Sequence, residues 1–267
     1  MRFSKEHKFI LVSNWKCGCT SLATIFDPYS EFTYHNNKRC EKLLGIPYSQ
    51  LVHWPAYKIK GKFRQMGLEY DKYIKITSVR NPWARIVSLF FYKYPKLEKN
   101  MKNIDEKKRD QIIKVNFTKF VKTTLRTYQH GIRNRWNTFE MIHDNVNKTK
   151  SLVNYVVRLE HLEKDLTPII KKHFPKFAPI NYNIHQNKTS HKHYSQYYTK
   201  ETINIVAKMF QYDIRRFKYR FEYKKSKPLS TQMNINDDQY EDAINSDDSD
   251  NNSDNFSITE YTETINI

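Results

Sequence analysis

The spacing of apolar and polar positions divides the chain into short apolar runs and longer stretches of helical period. Residues 8–13 (KFILVS) form a brief apolar run between polar neighbours, as expected of a buried strand. Residues 14–19 then read as a loop, and 20–26 as a short helix with Thr20 placed to cap it. A second strand is predicted over 72–79 (KYIKITSV), where β-branched and aromatic residues dominate. It runs into Asn81-Pro82, a capping residue followed by proline at the first helical position. The helix so opened carries Trp83, Ile86, Val87, Phe90 and Phe91 on an apolar side, with Arg85, Ser88 and Tyr92 on the other. Beyond it, 105–128 is largely helical, 154–158 is a third strand and 159–173 is again helix. Thr199 caps a last helix whose apolar positions Ile203, Val206, Ala207, Phe210, Ile214 and Phe217 keep the helical period. Alternating strands and helices predict an α/β fold around a mainly parallel sheet.

Charge changes this picture in two ways. The 267 residues carry 46 Lys plus Arg against 28 Asp plus Glu, a net charge of +18. Ten of the acidic residues and no basic one fall in 228–267, so 1–227 keeps 46 basic against 18 acidic side chains, a net +28. The body is therefore an anion-attracting surface. From about residue 226 the composition shifts to Asn, Asp, Ser and Thr, too little apolar surface to offset the entropy of ordering. The expected organisation is one domain over 1–225 and a disordered acidic tail over 226–267. No apolar run approaches the roughly 20 residues of a membrane span, and none reads as a secretory leader. Cys17, Cys19 and Cys40 make neither a disulfide framework nor zinc spacing. Reduced thiols in a cytoplasm-like compartment are the expectation, with no metal site.

Two constellations carry chemistry. In the first, a strand leads through Trp15, Lys16, Cys17, Gly18, Cys19, Thr20 and Ser21 into a helix. Such a turn aims backbone N–H groups and a helix N-terminus at one spot and adds an ammonium and two hydroxyls, which is a cradle for phosphate or sulfate. It departs from the GxxxxGK[ST] loop of nucleotide triphosphatases, since the lysine precedes the glycine. In the second, Arg80 leaves the end of a strand and Ser88 lies two helical turns further on, so guanidinium and hydroxyl can hold one anion between them.

Together the KCGCTS loop and the SVRNPWARIVSLFFY segment resemble the carbohydrate sulfotransferase superfamily, in its type-2 group. The likeness extends to VVRLEHLEKDL at 156–166 and to the stretch 187–221, and it covers about 8–223. The resemblance implies a three-layer fold similar to that of P-loop NTPases and the donor 3′-phosphoadenosine-5′-phosphosulfate (PAPS), with PAP as product. It implies that Lys16, Cys17, Gly18, Cys19, Thr20 and Ser21 surround the 5′-phosphosulfate and that Arg80 and Ser88 hold the 3′-phosphate. In such a family the basic loop around Lys188, Thr189 and Ser190 closes over the nucleotide. Asn14 and Trp15 stand where the family has Pro before the lysine, so Trp15 either crowds the loop or stacks near the adenine.

Sulfuryl transfer proceeds through a loose in-line transition state stabilised by positioning and charge, and it needs no metal. Lys16 is the candidate to neutralise the leaving oxygen. His53, between the two constellations, is the candidate base, with His35 as fallback and Glu31 as a weaker one. The expected acceptor is a hydroxyl of a carbohydrate, anionic in keeping with the basic body, and oligomeric state stays open. A nucleic-acid-binding protein would also explain the charge, yet no recognition motif accompanies it. A P-loop-like nucleotide kinase is opposed by the missing GK[ST] element and by the lack of a clear magnesium-binding Asp after a strand.

Overall fold

The computed structural model describes residues 1–31, 42, 45, 52–101, 103–129, 138–147, 149–182 and 191–224. The chain divides into two units, Met1–Lys225 and Ser226–Ile267, and every described residue lies in the first. The expectation of a disordered tail thus falls outside the described residues.

Four strands form one sheet in the order β1 (Arg2–Ser4), β2 (Phe9–Val12), β3 (Ile74–Val79), β4 (Tyr155–Arg158). β1 pairs antiparallel with β2, whereas β2–β3 and β3–β4 are parallel. The three strands read from the sequence are all present, and the parallel pairing follows from the helical crossovers between them. β1 has only three residues and no apolar run to mark it. Its hairpin is fixed from outside by Glu31, which accepts the Ser4 hydroxyl at 3.1 Å and the backbone N–H groups of Lys5 at 2.7 Å and Glu6 at 3.0 Å.

Helices cover both sheet faces, as the strand period of two requires. Phe9 and Leu11 of β2, with Ile76 and Val157, pack on α1 (Cys19–Phe26) and on the helix Leu162–His173. Ile10 and Val12 point the other way, onto α2 (Ala56–Gln65) through Ile59 and Phe63, and onto Met141 and Ile142. A third cluster lies among helices: α3 (Pro82–Lys93), α4 (Glu106–Gln129) and, after α5 (Thr138–Ile142) and α6 (Leu162–His173), α7 (Lys200–Met209). Its rings include Phe90 and Phe117, each fully buried and contributing about 1.5–3 kcal/mol.

Local sequence explains the helix ends, with three corrections. Asn81 does cap α3, accepting the N–H groups of Trp83 and Ala84, and Thr199 caps α7 in a reciprocal box with Thr202. Thr20, expected to cap α1, instead lies inside it, and Gly18 occupies the cap at φ 74°. Residues 159–161 form a 3₁₀ turn ahead of α6 rather than its first turn. The last helix breaks at Phe210 into α7 and α8 (Gln211–Phe217). No helix among the described residues is long and apolar enough to cross a membrane.

Candidate active site

Because β2 and β3 are parallel neighbours with Val12 opposite Thr77, the loop after β2 and Arg80 after β3 leave the same edge of the sheet. Ligands of open α/β sheets bind at this carboxyl edge. β4 ends beside them with Arg158, whose guanidinium grips Asp165 through Nε and Nη2 at 2.8 Å each. Arg158 is thus already neutralised. Lys16 and Arg80 are in a different condition: among the described residues, neither side chain has a hydrogen-bond or ion-pair partner. Burial and the neighbouring Arg80 charge lower the Lys16 ammonium from its ordinary value. Burial also lowers Arg80, against the pull of Glu160. Glu160 itself is committed to the Asn81 N–H at 2.7 Å and the Tyr219 hydroxyl at 3.2 Å.

The loop between β2 and α1 is shaped by two left-handed residues, Lys16 at φ 58° and Gly18 at φ 74°. No side chain caps α1. Gly18 is required twice over, since a Cβ there would lie 2.3 Å from Leu159 Cδ1 besides meeting a backbone that disfavours side chains. Gly18→Ala is expected to cost more than about 1 kcal/mol in chemical denaturation; an unchanged midpoint would mean that the loop relaxes freely.

α3 faces this loop with a stripe spaced at i, i+3 and i+7, namely Arg85, Ser88 and Tyr92. The sequence pattern put these three on the polar side. The structure corrects the meaning of that side, because Arg85 is fully buried. Its Nε donates to the Trp15 carbonyl at 2.9 Å and its Nη2 to Asn14 Oδ1 at 3.0 Å. Asn14 Nδ2 donates to Thr138 Oγ1 at 3.0 Å, and that hydroxyl donates to Asp213 Oδ2 at 2.7 Å. Asp213 Oδ2 stands 3.8 Å from Arg85 Nη1. The Asp213 carboxyl is pushed up to about 6 by burial, with Arg85 opposing. A buried polar network from α3, α5 and α8 thus holds the two residues that precede Lys16. Ser88, one turn beyond Arg85, is buried and its hydroxyl has no partner among the described residues. Tyr92 lies under Lys16, with Nζ 4.3 Å from the ring centroid.

His53 comes to the same place. Its Nδ1–H donates to the Ser13 carbonyl at 2.9 Å, which puts the ring proton on Nδ1 and makes Nε2 the acceptor nitrogen. The imidazole lies 5.8 Å from the Trp15 ring, at 30°. Trp15 packs toward His53 and Tyr92, which answers where its side chain goes.

Other candidates are placed elsewhere. Glu31, the weaker base candidate, is consumed by the β1 hairpin and is removed from consideration. Cys17 is buried and its thiol is pushed up to about 12, so the helix N-terminus does not activate it. Thr20 and Cys19 are half-buried on the first turn of α1, and Ser21 is buried there. His35, Lys188, Thr189, Ser190 and Cys40 lie outside the described residues. Of the basic loop that follows, Lys192 is tied to Glu106 at 2.7 Å and to Asp110, and His193 Nδ1 to the Ser195 hydroxyl at 2.8 Å.

Comparison with known proteins places this geometry. The model of the sulfotransferase family matches residues 1–220, which takes in both constellations and the sheet that joins them. An uncharacterized protein of Archaeoglobus fulgidus is 27% identical over 118 residues, 44% of this chain and 80% of that protein. No solved structure matches significantly.

Proposed function

From the premise that the chain belongs to the sulfotransferase family, we propose that it moves a sulfuryl group from PAPS to a hydroxyl of a carbohydrate acceptor, on a scaffold of the P-loop type. The observation that carries this reading is the pair of unpartnered cations, Lys16 and Arg80, at one sheet edge. Two half-buried cations, with Arg80 close enough to depress Lys16, call for an anion of multiple charge. A helix N-terminus without a side-chain cap and the unpartnered hydroxyls of Thr20 and Ser88 suit phosphate and sulfate oxygens as well. The donor's adenosine carries such oxygens at both its 5′ and 3′ ends.

In this reading Lys16, Cys17, Gly18, Cys19, Thr20 and Ser21 enclose the 5′-phosphosulfate, and Arg80 and Ser88 take the 3′-phosphate, joined by Lys188, Thr189 and Ser190. The donor supplies an activated sulfuryl group whose bond to the 5′-phosphate is the one that breaks. His53 Nε2 takes the acceptor hydroxyl proton as the new oxygen–sulfur bond forms. Lys16 neutralises the charge that develops on the departing phosphate oxygen. The net +28 of residues 1–227 favours an anionic glycan as acceptor.

The reading is tested by transfer of labelled sulfate from PAPS across a panel of glycans. Label in at least one glycan is expected; label in none, with a folded protein that binds PAP, would overturn the acceptor class. His53→Ala is expected to lower transfer about 10²- to 10⁴-fold while PAP binding, followed by calorimetry, persists. Loss of both would mean that the bond to Ser13 is the residue's main purpose.

A further inference from the structure

We propose that Tyr92 is a positioning residue for Lys16, its ring face holding the ammonium ready for the charge that develops during transfer. The inference rests on the assignment of Lys16 as the neutralising group. Four observations carry it. The Nζ atom stands 4.3 Å from the Tyr92 centroid, well inside the roughly 6 Å over which a ring quadrupole attracts a cation. The ammonium has no hydrogen-bond or ion-pair partner among the described residues, so the ring is what the cation rests on. The Tyr92 ring is itself braced edge-on by Trp15, with centroids 6.5 Å apart at 83°. Lastly, Tyr92 is 58% exposed although it lies in the last turn of a helix otherwise buried almost throughout, so core packing does not account for it.

A lysine that is to neutralise a leaving oxygen must be held in place with its charge and its N–H groups still available. A carboxylate in the place of Tyr92 would hold the ammonium more firmly but would cancel its charge. A ring face holds it while leaving both the charge and the N–H groups available to a developing oxyanion. Lys16 reaches the ring from a left-handed backbone, φ 58°. Backbone, ring and Trp15 thus restrict a flexible side chain that would otherwise sample many rotamers. The advantage is realised in the transition state, so it belongs to kcat rather than to donor affinity.

The test compares Tyr92→Leu and Tyr92→Gln, which remove the ring, with the conservative Tyr92→Phe, which keeps its face, beside Lys16→Ala. The readouts are kcat and KM for PAPS, PAP affinity by calorimetry and melting temperature. Both ringless variants are expected to lose about tenfold in kcat, with KM, PAP affinity and melting temperature close to the parent, and Tyr92→Phe to recover most of the rate. Equal rates in the Phe and Leu variants, or a loss confined to KM, would overturn the positioning role. An active Lys16→Ala would instead overturn the assignment beneath it, and so the two failures are told apart.

Discussion

Lys16→Ala is expected to lower sulfuryl transfer by about two to three orders of magnitude, the usual consequence of removing one charge-stabilising group from a preorganised site. The size follows from where the ammonium stands. It is half-buried, so its field is weakly screened, and of the cations nearby Arg158 is held by Asp165 while Arg80 is assigned to the 3′-phosphate. The fold should be nearly indifferent to the change. Lys16 packs no core, and removing a cation that sits near Arg80 relieves repulsion. Initial rates at saturating donor, together with the melting temperature, check both halves. A variant within a few-fold of the parent rate would show that another group neutralises the leaving oxygen.

Arg85→Met is expected to destabilise the protein by about 3–5 kcal/mol, the cost of leaving one member of a buried ion pair alone. Methionine fills much of the space but satisfies none of the Trp15 carbonyl, the Asn14 amide oxygen or Asp213. The loss should also depend on pH. Asp213 has a folded value of about 6, above its ordinary 3.8, so the native state holds a proton that the unfolded chain releases between these values. Its contribution to stability is therefore full below about pH 3.8 and lost as the pH rises through about 6. Without Arg85 the carboxyl stays protonated to higher pH, and the deficit against the parent grows above pH 6. Urea unfolding at pH 5 and pH 7.5 measures it. A deficit below about 1 kcal/mol, or one larger at the acid pH, contradicts the pairing.

Much of the scaffold is legible because it is local. Phe9–Val12 is an apolar run between polar neighbours, Ile74–Val79 is rich in β-branched residues, and Asn81-Pro82 and Thr199 mark helix starts by their own side-chain chemistry. What escapes sequence reading depends on partners far along the chain. β1 owes its place to Glu31, 25 to 27 residues away. Arg85 reads as a surface residue by periodicity, and only folding brings it to Asp213, 128 positions on, in a core too dry for an unpaired charge. Thr20 has the chemistry of a cap, yet the left-handed turn at Gly18 and the close approach of Leu159 move the cap two residues earlier. Tyr92 was visible as a neighbour of Ser88 on one helix face, but its relation to Lys16 needed the loop in place.

In the proposed function Lys16 and Arg80 grip opposite ends of one adenosine donor. Calorimetric titration with PAP and with AMP, which lacks the 3′-phosphate, tests it on the parent and on Arg80→Ala. PAP is expected to bind the parent at least about tenfold more tightly than AMP, one charge-assisted contact's worth, and Arg80→Ala to lose this preference while keeping its affinity for AMP. Equal affinities for PAP and AMP in the parent, or a preference that survives in Arg80→Ala, would contradict it.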